Sequence, residues 1–247
     1  MSPTPGVDLK PGRKADYAAR MFPAIARSYD LLTRLLTFSL DRRWRRFAAA
    51  QCGLRSGGAA LDLATGTGEL ALELARAVAP HGTVIGLDLC PEMLARAQAK
   101  LAVTPWHSIV GLRQGDAGLD LPFESGSFDC ATMGLALRYF DVPRTIAEMA
   151  RVLRPGGRVV ILEFATPRPL WARLGHAPYA FTLMPALGGL LAGNRKVWEL
   201  LRFLPRSVAA FHPRDELVRI MKGAGLGPVY VHDLTFGVVA VYVGVRR

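Results

Sequence analysis

The run Leu61-Asp-Leu-Ala-Thr-Gly-Thr-Gly68 constrains this chain more than any other. It reads as a buried strand, a glycine turn, and a helix that begins at Glu69. Glycine carries no Cβ, so a ligand can approach the bare backbone of such a turn. The next apolar run, Thr83 to Asp88, ends on a carboxylate about 20 residues beyond the glycines, placed to accept hydrogen bonds from two adjacent ribose hydroxyls. Strand, turn, helix and distant acid together predict an adenosine-containing ligand at the edge of a parallel sheet.

The pattern on both sides supports that sheet. Strands are predicted over 59–64, 83–88, 108–114, 128–133 and 158–164. Helices are predicted over 69–79, 91–101 and 143–153, the second with Pro91 at a permitted first-turn position. Apolar strands alternating with amphipathic helices give βαβ units covered on both faces. The end differs: a helix over 214–223 precedes two apolar strands, 228–235 and 238–246, joined so tightly that they must pair antiparallel. The expected fold class is α/β: a Rossmann-like, seven-stranded, mostly parallel sheet with helices on both faces, a C-terminal antiparallel hairpin and an N-terminal helical lid. The lid is expected over 15–50, as helices 15–28 and 30–50, within a single domain, 15–247. Residues 1–14, rich in Pro, Gly and polar side chains and without an apolar core segment, read as a disordered tail. Residues 165–213 form an apolar and basic insertion on the substrate side. Its segment His176 to Ala192 is strongly apolar, yet Pro178, Pro185, Gly188 and Gly189 interrupt it, and a span needs about 20 continuous apolar residues. A lid or the wall of an apolar pocket is the expected use.

Charge is segregated. The chain carries +11 overall, with ten Lys/Arg against three Asp over 10–46 and eleven against four acids over 168–247. Between them, 47–167 holds ten basic and twelve acidic residues. A nearly neutral ligand domain with basic flanks predicts an anionic partner such as lipid, nucleic acid or an acidic substrate. The three cysteines, Cys52, Cys90 and Cys130, have no metal-ligand spacing, so no metal is expected, and their odd count suits free thiols in a reducing cytoplasm.

Gly66 to Ala71 also satisfies G-x-G-x-x-A, a dinucleotide pattern that is weak alone. Asp62, inside the strand, would repel a pyrophosphate but suit a cationic amino group. A third polar station, Gly115-Asp116-Ala117, follows the strand 108–114, where a carboxylate can accept from an adenine amino group. S-adenosyl-L-methionine offers all three groups in that order. The expected cofactor-binding residues are Asp62, Gly66, Thr67, Gly68, Asp88, Leu89, Asp116, Ala117 and Gly134.

At this point the chain resembles the class I S-adenosylmethionine-dependent methyltransferases, and within them the ubiquinone/menaquinone biosynthesis C-methyltransferases, the UbiE family. Residues carrying the resemblance include Ser28-Tyr-Asp-Leu-Leu32, Leu61–Leu70, Glu92-Met-Leu94, Leu121-Pro-Phe123, Glu148–Gly157, Leu162-Glu-Phe164 and Leu234–Ala240, within roughly residues 20–246. The departures fall near the substrate: Thr33 where the family pattern has Asn, Phe38–Asp41, and Leu135-Ala-Leu-Arg-Tyr139 in place of Phe-Gly-Leu-Arg-Asn. The resemblance implies methylation of a prenylated hydroquinone such as demethylmenaquinol, with Arg138 and Tyr29 as catalytic residues. Arginine stays protonated, so Arg138 is cast as a donor to a water or a developing phenolate. His176, His232 and Asp233 are the candidate bases. A bilayer-borne quinol implies a cytoplasmic enzyme in peripheral contact with anionic membrane lipid, and a homodimer fits the same reading. Nucleic acid is not an expected partner, because no recognition domain or base-binding motif is present. Two other readings stay open: methylation of a soluble phenol, and a cofactor-binding module without turnover.

Overall fold

In the computed structural model, which describes residues 11–186 and 195–247, the alternation closes into one seven-stranded sheet. The strands are β1 (Ala59–Leu63), β2 (Thr83–Asp88), β3 (Val110–Gln114), β4 (Phe128–Gly134), β5 (Leu153–Phe164), β6 (Leu226–Leu234) and β7 (Val239–Arg246). Across the sheet they run β3-β2-β1-β4-β5-β7-β6. The first five are parallel, and β7 pairs antiparallel with both β5 and β6. Strand order reverses between β1 and β4. Connections leaving those two strands diverge to opposite faces and open a crevice at their carboxyl ends.

Period-two alternation sends successive residues to opposite faces. On β5, Val159 and Ile161 join one core with Ile146, Met149, Leu217 and Met221, while Val160 and Leu162 join the other with Ala48, Leu70 and Leu74. The helices supplying those partners are α6 (Val142–Arg151) and α9 (Arg214–Gly223) on one face, α3 (Leu40–Gln51) and α4 (Glu69–Val78) on the other. Helix α5 (Pro91–Leu101) follows β2. Strands buried on both faces explain the near-continuous apolar runs of the sequence.

The N-terminal part departs from expectation in two places. Helix α1 spans Pro11–Ile25, so residues 11–14 of the expected tail are helical; Pro11 takes the first helical position, where no N–H is needed. Residues 1–10 of that tail lie outside the described residues. The expected helix 30–50 is two helices, α2 (Tyr29–Leu36) and α3, because Phe38 and Ser39 hold left-handed φ values of 51° and 60°. Right-handed helix cannot pass through such residues.

The insertion is helical: α7 (Leu170–Pro178) runs into a π-turn (Tyr179–Leu183), and α8 spans Arg195–Ala209. Residues 187–194, the end of the expected apolar segment, lie outside the described residues. Ile25, Leu32, Met93, Met184, Val197 and Leu201 form a third, smaller core that joins α1, α2 and the insertion to α5. No described helix is long and apolar enough to cross a membrane.

Candidate active site

Four strand ends build one cavity of about 340 Å³. After β1, Ala64 (φ 51°) and Gly66 (φ 56°) turn the chain. The Gly66 N–H donates to Asp88 Oδ2 at 2.7 Å and the Cys90 N–H to Oδ1 at 2.9 Å, so the acid ending β2 is locked onto the glycine turn. Burial raises the Asp88 carboxyl pKa, while these backbone donors oppose the rise. After β3, the Gly118 N–H donates to Asp116 Oδ1 at 2.7 Å. After β4 come Gly134 and Leu135, the latter again left-handed (φ 59°). Gly66, Asp88, Leu89, Asp116, Ala117 and Gly134 line the cavity, with Ala18, Ala19, Phe22 and Pro23 of α1 closing it from outside.

A second cavity, of about 320 Å³, lies beside the first and is almost wholly apolar. Its walls come from α2 (Leu32, Leu36), the end of β5 (Phe164), α7 and the π-turn (His176, Phe181), and α8 (Leu200, Leu204). Phe22, Tyr29, Leu135 and Tyr139 line both cavities, so the two chambers share one partition.

The cofactor cavity fits an adenosine sulfonium in its own terms. A Cβ built on Gly66 meets no protein atom within 4 Å, so the turn faces open space. Carboxylates Asp88 and Asp116 suit a diol and an exocyclic amine, and Leu89, Met93 and Phe140 supply apolar faces for a purine. Comparison with known proteins agrees. The ubiE/COQ5 methyltransferase family model matches residues 10–246. The chain belongs to that family. It is an S-adenosylmethionine-dependent methyltransferase. A demethylmenaquinone methyltransferase of Thermus thermophilus is 43% identical over 227 residues, 92% of this chain and 100% of that protein. One from Desulfitobacterium hafniense is 38% identical over 239 residues, 96% of this chain and 93% of that protein. The fold is shared with a SAM-dependent methyltransferase structure from Aquifex aeolicus, at a TM-score of 0.63 and 17% identity, covering 91% of this chain and 98% of the other.

Within this methyltransferase site, three of the expected cofactor residues do not line the cavity. Asp62 is only 1% exposed and sits beneath the turn, where Thr65 Oγ1 donates to Oδ2 at 2.6 Å and Thr132 Oγ1 to Oδ1 at 2.7 Å. Burial pushes its pKa up to about 6, with the two threonine bonds opposing. Asp62 therefore ties the turn to β4; the geometry does not present it to a ligand amine. Thr67 points away from the cavity and donates to Asp30 Oδ1 at 2.6 Å. Gly68 (φ 78°) opens α4, and a Cβ there would come 3.2 Å from Ala97 Cβ, so its service is close helix packing.

Arg138 lines the apolar chamber and is 5% exposed. It pairs with the buried carboxylate of Glu163 at the end of β5 and donates from Nη1 to the Leu135 carbonyl at 2.8 Å. Nη2 lies 3.4 Å from the Tyr139 hydroxyl, and the guanidinium stacks over the rings of Tyr139 and Phe164. Desolvation works to lower its pKa, but Glu163 and Tyr139 raise it further, so the charge is permanent. Its Nε is buried with no hydrogen-bond partner among the described residues. A buried orphaned donor of this kind costs stability unless a ligand meets it.

Tyr29 lies in the partition, and burial raises its pKa despite the nearby Arg45. Of the three candidate bases only His176 lines a chamber, its pKa lowered by burial. His232 packs on Phe47, and Asp233 is bound by Arg168 and Arg214, both away from the cavities. Phe22 and Tyr139, which line both cavities, and Glu163, which pairs with Arg138, were given no role in the sequence reading. A lone acid closing the apolar run Val159 to Phe164 was the available signal for Glu163.

Proposed function

We propose that the acceptor is the ring of a prenylated hydroquinone of the demethylmenaquinol type, methylated at carbon. The observation that carries this reading is the shared partition: an apolar chamber meets the cofactor cavity at Tyr29 and Tyr139, with an unsatisfied Arg138 donor in its wall. The names of the relatives support it.

When bound, the cofactor supplies a methyl group already activated on a sulfonium. The chain must then align an electron-rich carbon with it and keep water out. A hydroquinone carbon becomes electron-rich when the neighbouring hydroxyl loses its proton; once the methyl has moved from sulfur to that carbon, the carbon's own hydrogen leaves as a proton, the oxygen regains one and the ring is aromatic again. Arg138, held charged by Glu163, stabilises the phenolate oxygen that results, a pre-aimed charge in a dry site. Tyr29 and Tyr139 fix the ring at the partition, and the chamber behind them takes the prenyl chain. His176, kept neutral by burial, is the one candidate base that lines this chamber.

The mouth of the chamber supports a membrane source for the acceptor. Phe181 lines it and is 55% exposed, and Leu170, Trp171 and Leu174 continue the exposed apolar stripe along α7. We take this as the edge that rests on anionic lipid at the inner membrane face.

The test is to incubate the enzyme and methyl-labelled S-adenosylmethionine with demethylmenaquinol and, separately, with soluble phenols. Label on a ring carbon of the quinol, read by mass spectrometry, is expected. Turnover of the phenols alone, or label on oxygen, would overturn the proposal.

A further inference from the structure

One charge cluster takes no part in either cavity, yet it joins them. Lys100, in the last turn of α5, places Nζ 2.8 Å from Asp30 Oδ2 and 2.5 Å from Glu69 Oε1. Asp30 belongs to lid helix α2, and Glu69 opens α4. Thr67 of the glycine turn donates to Asp30 at 2.6 Å and accepts from Lys100 at 3.3 Å. One turn along α2, Arg34 reaches the same Glu69 at 3.4 Å. Two carboxylates from different elements thus share a single ammonium; without it they would face each other as like charges.

We propose that Lys100 and Asp30 form a clasp that holds the lid closed on the cofactor turn, and that cofactor product leaves only when this clasp opens. None of the clasp residues lines a cavity, so the role is one of positioning. Its reach follows from its neighbours in the chain. Asp30 adjoins Tyr29, which stands in the partition, and Thr67 adjoins Gly66, whose N–H fixes Asp88. One pair therefore registers the acceptor wall against the ribose carboxylate.

Helix α2 is also held by Tyr29 and Leu36, which pack on the third core, and by the Tyr179 hydroxyl, which donates to the Leu36 carbonyl; the clasp adds the charged tie to the glycine turn. Of its eight residues Leu32 alone is buried. Burial alone would push the Asp30 carboxyl up, but bonds from Lys100 and Thr67 hold it below the ordinary value, as a settled ion pair requires. The clasp side chains are 19–23% exposed, so the pair is sheltered enough to act and open enough to release. Strong charge-assisted bonds that water can enter make a reversible fastening.

The clasp rests on the cofactor, and its test needs no acceptor. The dissociation rate of S-adenosylhomocysteine is measured by stopped-flow fluorescence for the native chain, Lys100→Met, Asp30→Asn and the double variant. Each single variant is expected to release product about tenfold faster, and the double variant no faster than the quicker single one, the signature of one shared interaction. With acceptor present, the Michaelis constants rise more than kcat falls. Unchanged release in folded single variants, or full additivity in the double, overturns the clasp. If Lys100→Met does not fold, the native chain decides: release that stays constant from low to molar salt also overturns it.

Discussion

Asp62 and Arg138 are both buried charges, and the fold treats them in opposite ways. Arg138 has a carboxylate partner, Glu163, and keeps its charge. Asp62 has only hydroxyl donors, and burial lifts its pKa to about 6. A carboxyl raised in the folded state favours the protonated fold: that contribution is complete below about pH 4 and is lost as pH rises through about 6. Asp62→Asn carries no such charge at any pH. Relative to the native chain it should gain on the order of 2–3 kcal/mol in cofactor-free stability between pH 4 and 7.5, read by urea unfolding at both. A constant gap would mean that Asp62 is charged throughout. For Arg138 the neutral pair Arg138→Met with Glu163→Gln avoids stranding a buried carboxylate, which costs about 3–5 kcal/mol. It should lower kcat at least about 100-fold, the scale of one lost oxyanion donor, with cofactor affinity within about twofold by calorimetry. Full-rate turnover would remove Arg138 from the chemistry. These residues also mark how far single positions could be read from sequence. Asp88 ends β2 and Asp116 follows two residues after β3, and a strand end points to one place, so their siting was legible. Asp62 lies within a strand, where the facing side depends on the pleat, and Thr67 turned toward a lid whose position no local pattern encodes.

Elements were legible wherever burial on both faces wrote long apolar runs, as in β1, β2, β4, β5 and β7. They were obscured where an ordinary residue takes an unusual backbone. Phe38 and Ser39 separate α2 from α3 with no glycine or proline to announce it. β5 likewise begins at Leu153, inside the predicted helix 143–153, and runs through Pro155-Gly156-Gly157 ahead of the predicted strand 158–164. Neighbouring β4 supplies the pairing, with a register shift between Phe128 and Cys130. The break at Ser39 has a direct consequence. A left-handed non-glycine residue costs roughly 1–2 kcal/mol, and glycine at φ 60° escapes it at some loss of chain entropy. Ser39→Gly should therefore stabilise the chain by about 0.5–1 kcal/mol in thermal unfolding. A loss instead would show that Ser39 holds the angle between α2 and α3 through its side chain. That outcome would also appear in acceptor binding, because Leu36 and Thr37, next to the break, line the apolar chamber.

At the scale of the whole molecule, excess charge and exposed apolar surface fall in the same segments. The +11 chain concentrates its excess in the segments that form the lid and the insertion, while the sheet that holds the cofactor is close to neutral. The insertion also carries the exposed stripe Leu170, Trp171, Leu174 and Phe181 beside the chamber mouth, with Arg168 exposed at its start. Apolar side chains enter the interface, and basic ones add about 1 kcal/mol each near an anionic surface, the scale that reversible docking needs. Trp171 and Leu174 line neither cavity, so they separate docking from catalysis. Replacing both with Glu should cut co-sedimentation with phosphatidylglycerol vesicles at least about tenfold, since two apolar anchors are lost and two repelling charges gained. Turnover of a short-chain quinol dissolved in buffer should be unchanged, while turnover of a long-chain quinol in vesicles should fall with binding. Native binding should weaken steeply with salt and be poor on neutral phosphatidylcholine vesicles. If the native chain binds neither vesicle, or the double variant binds as well as the native chain, the stripe is not a lipid-facing edge. The quinol would then have to reach the chamber by another route, because the mouth that Phe181 lines is flanked by that stripe.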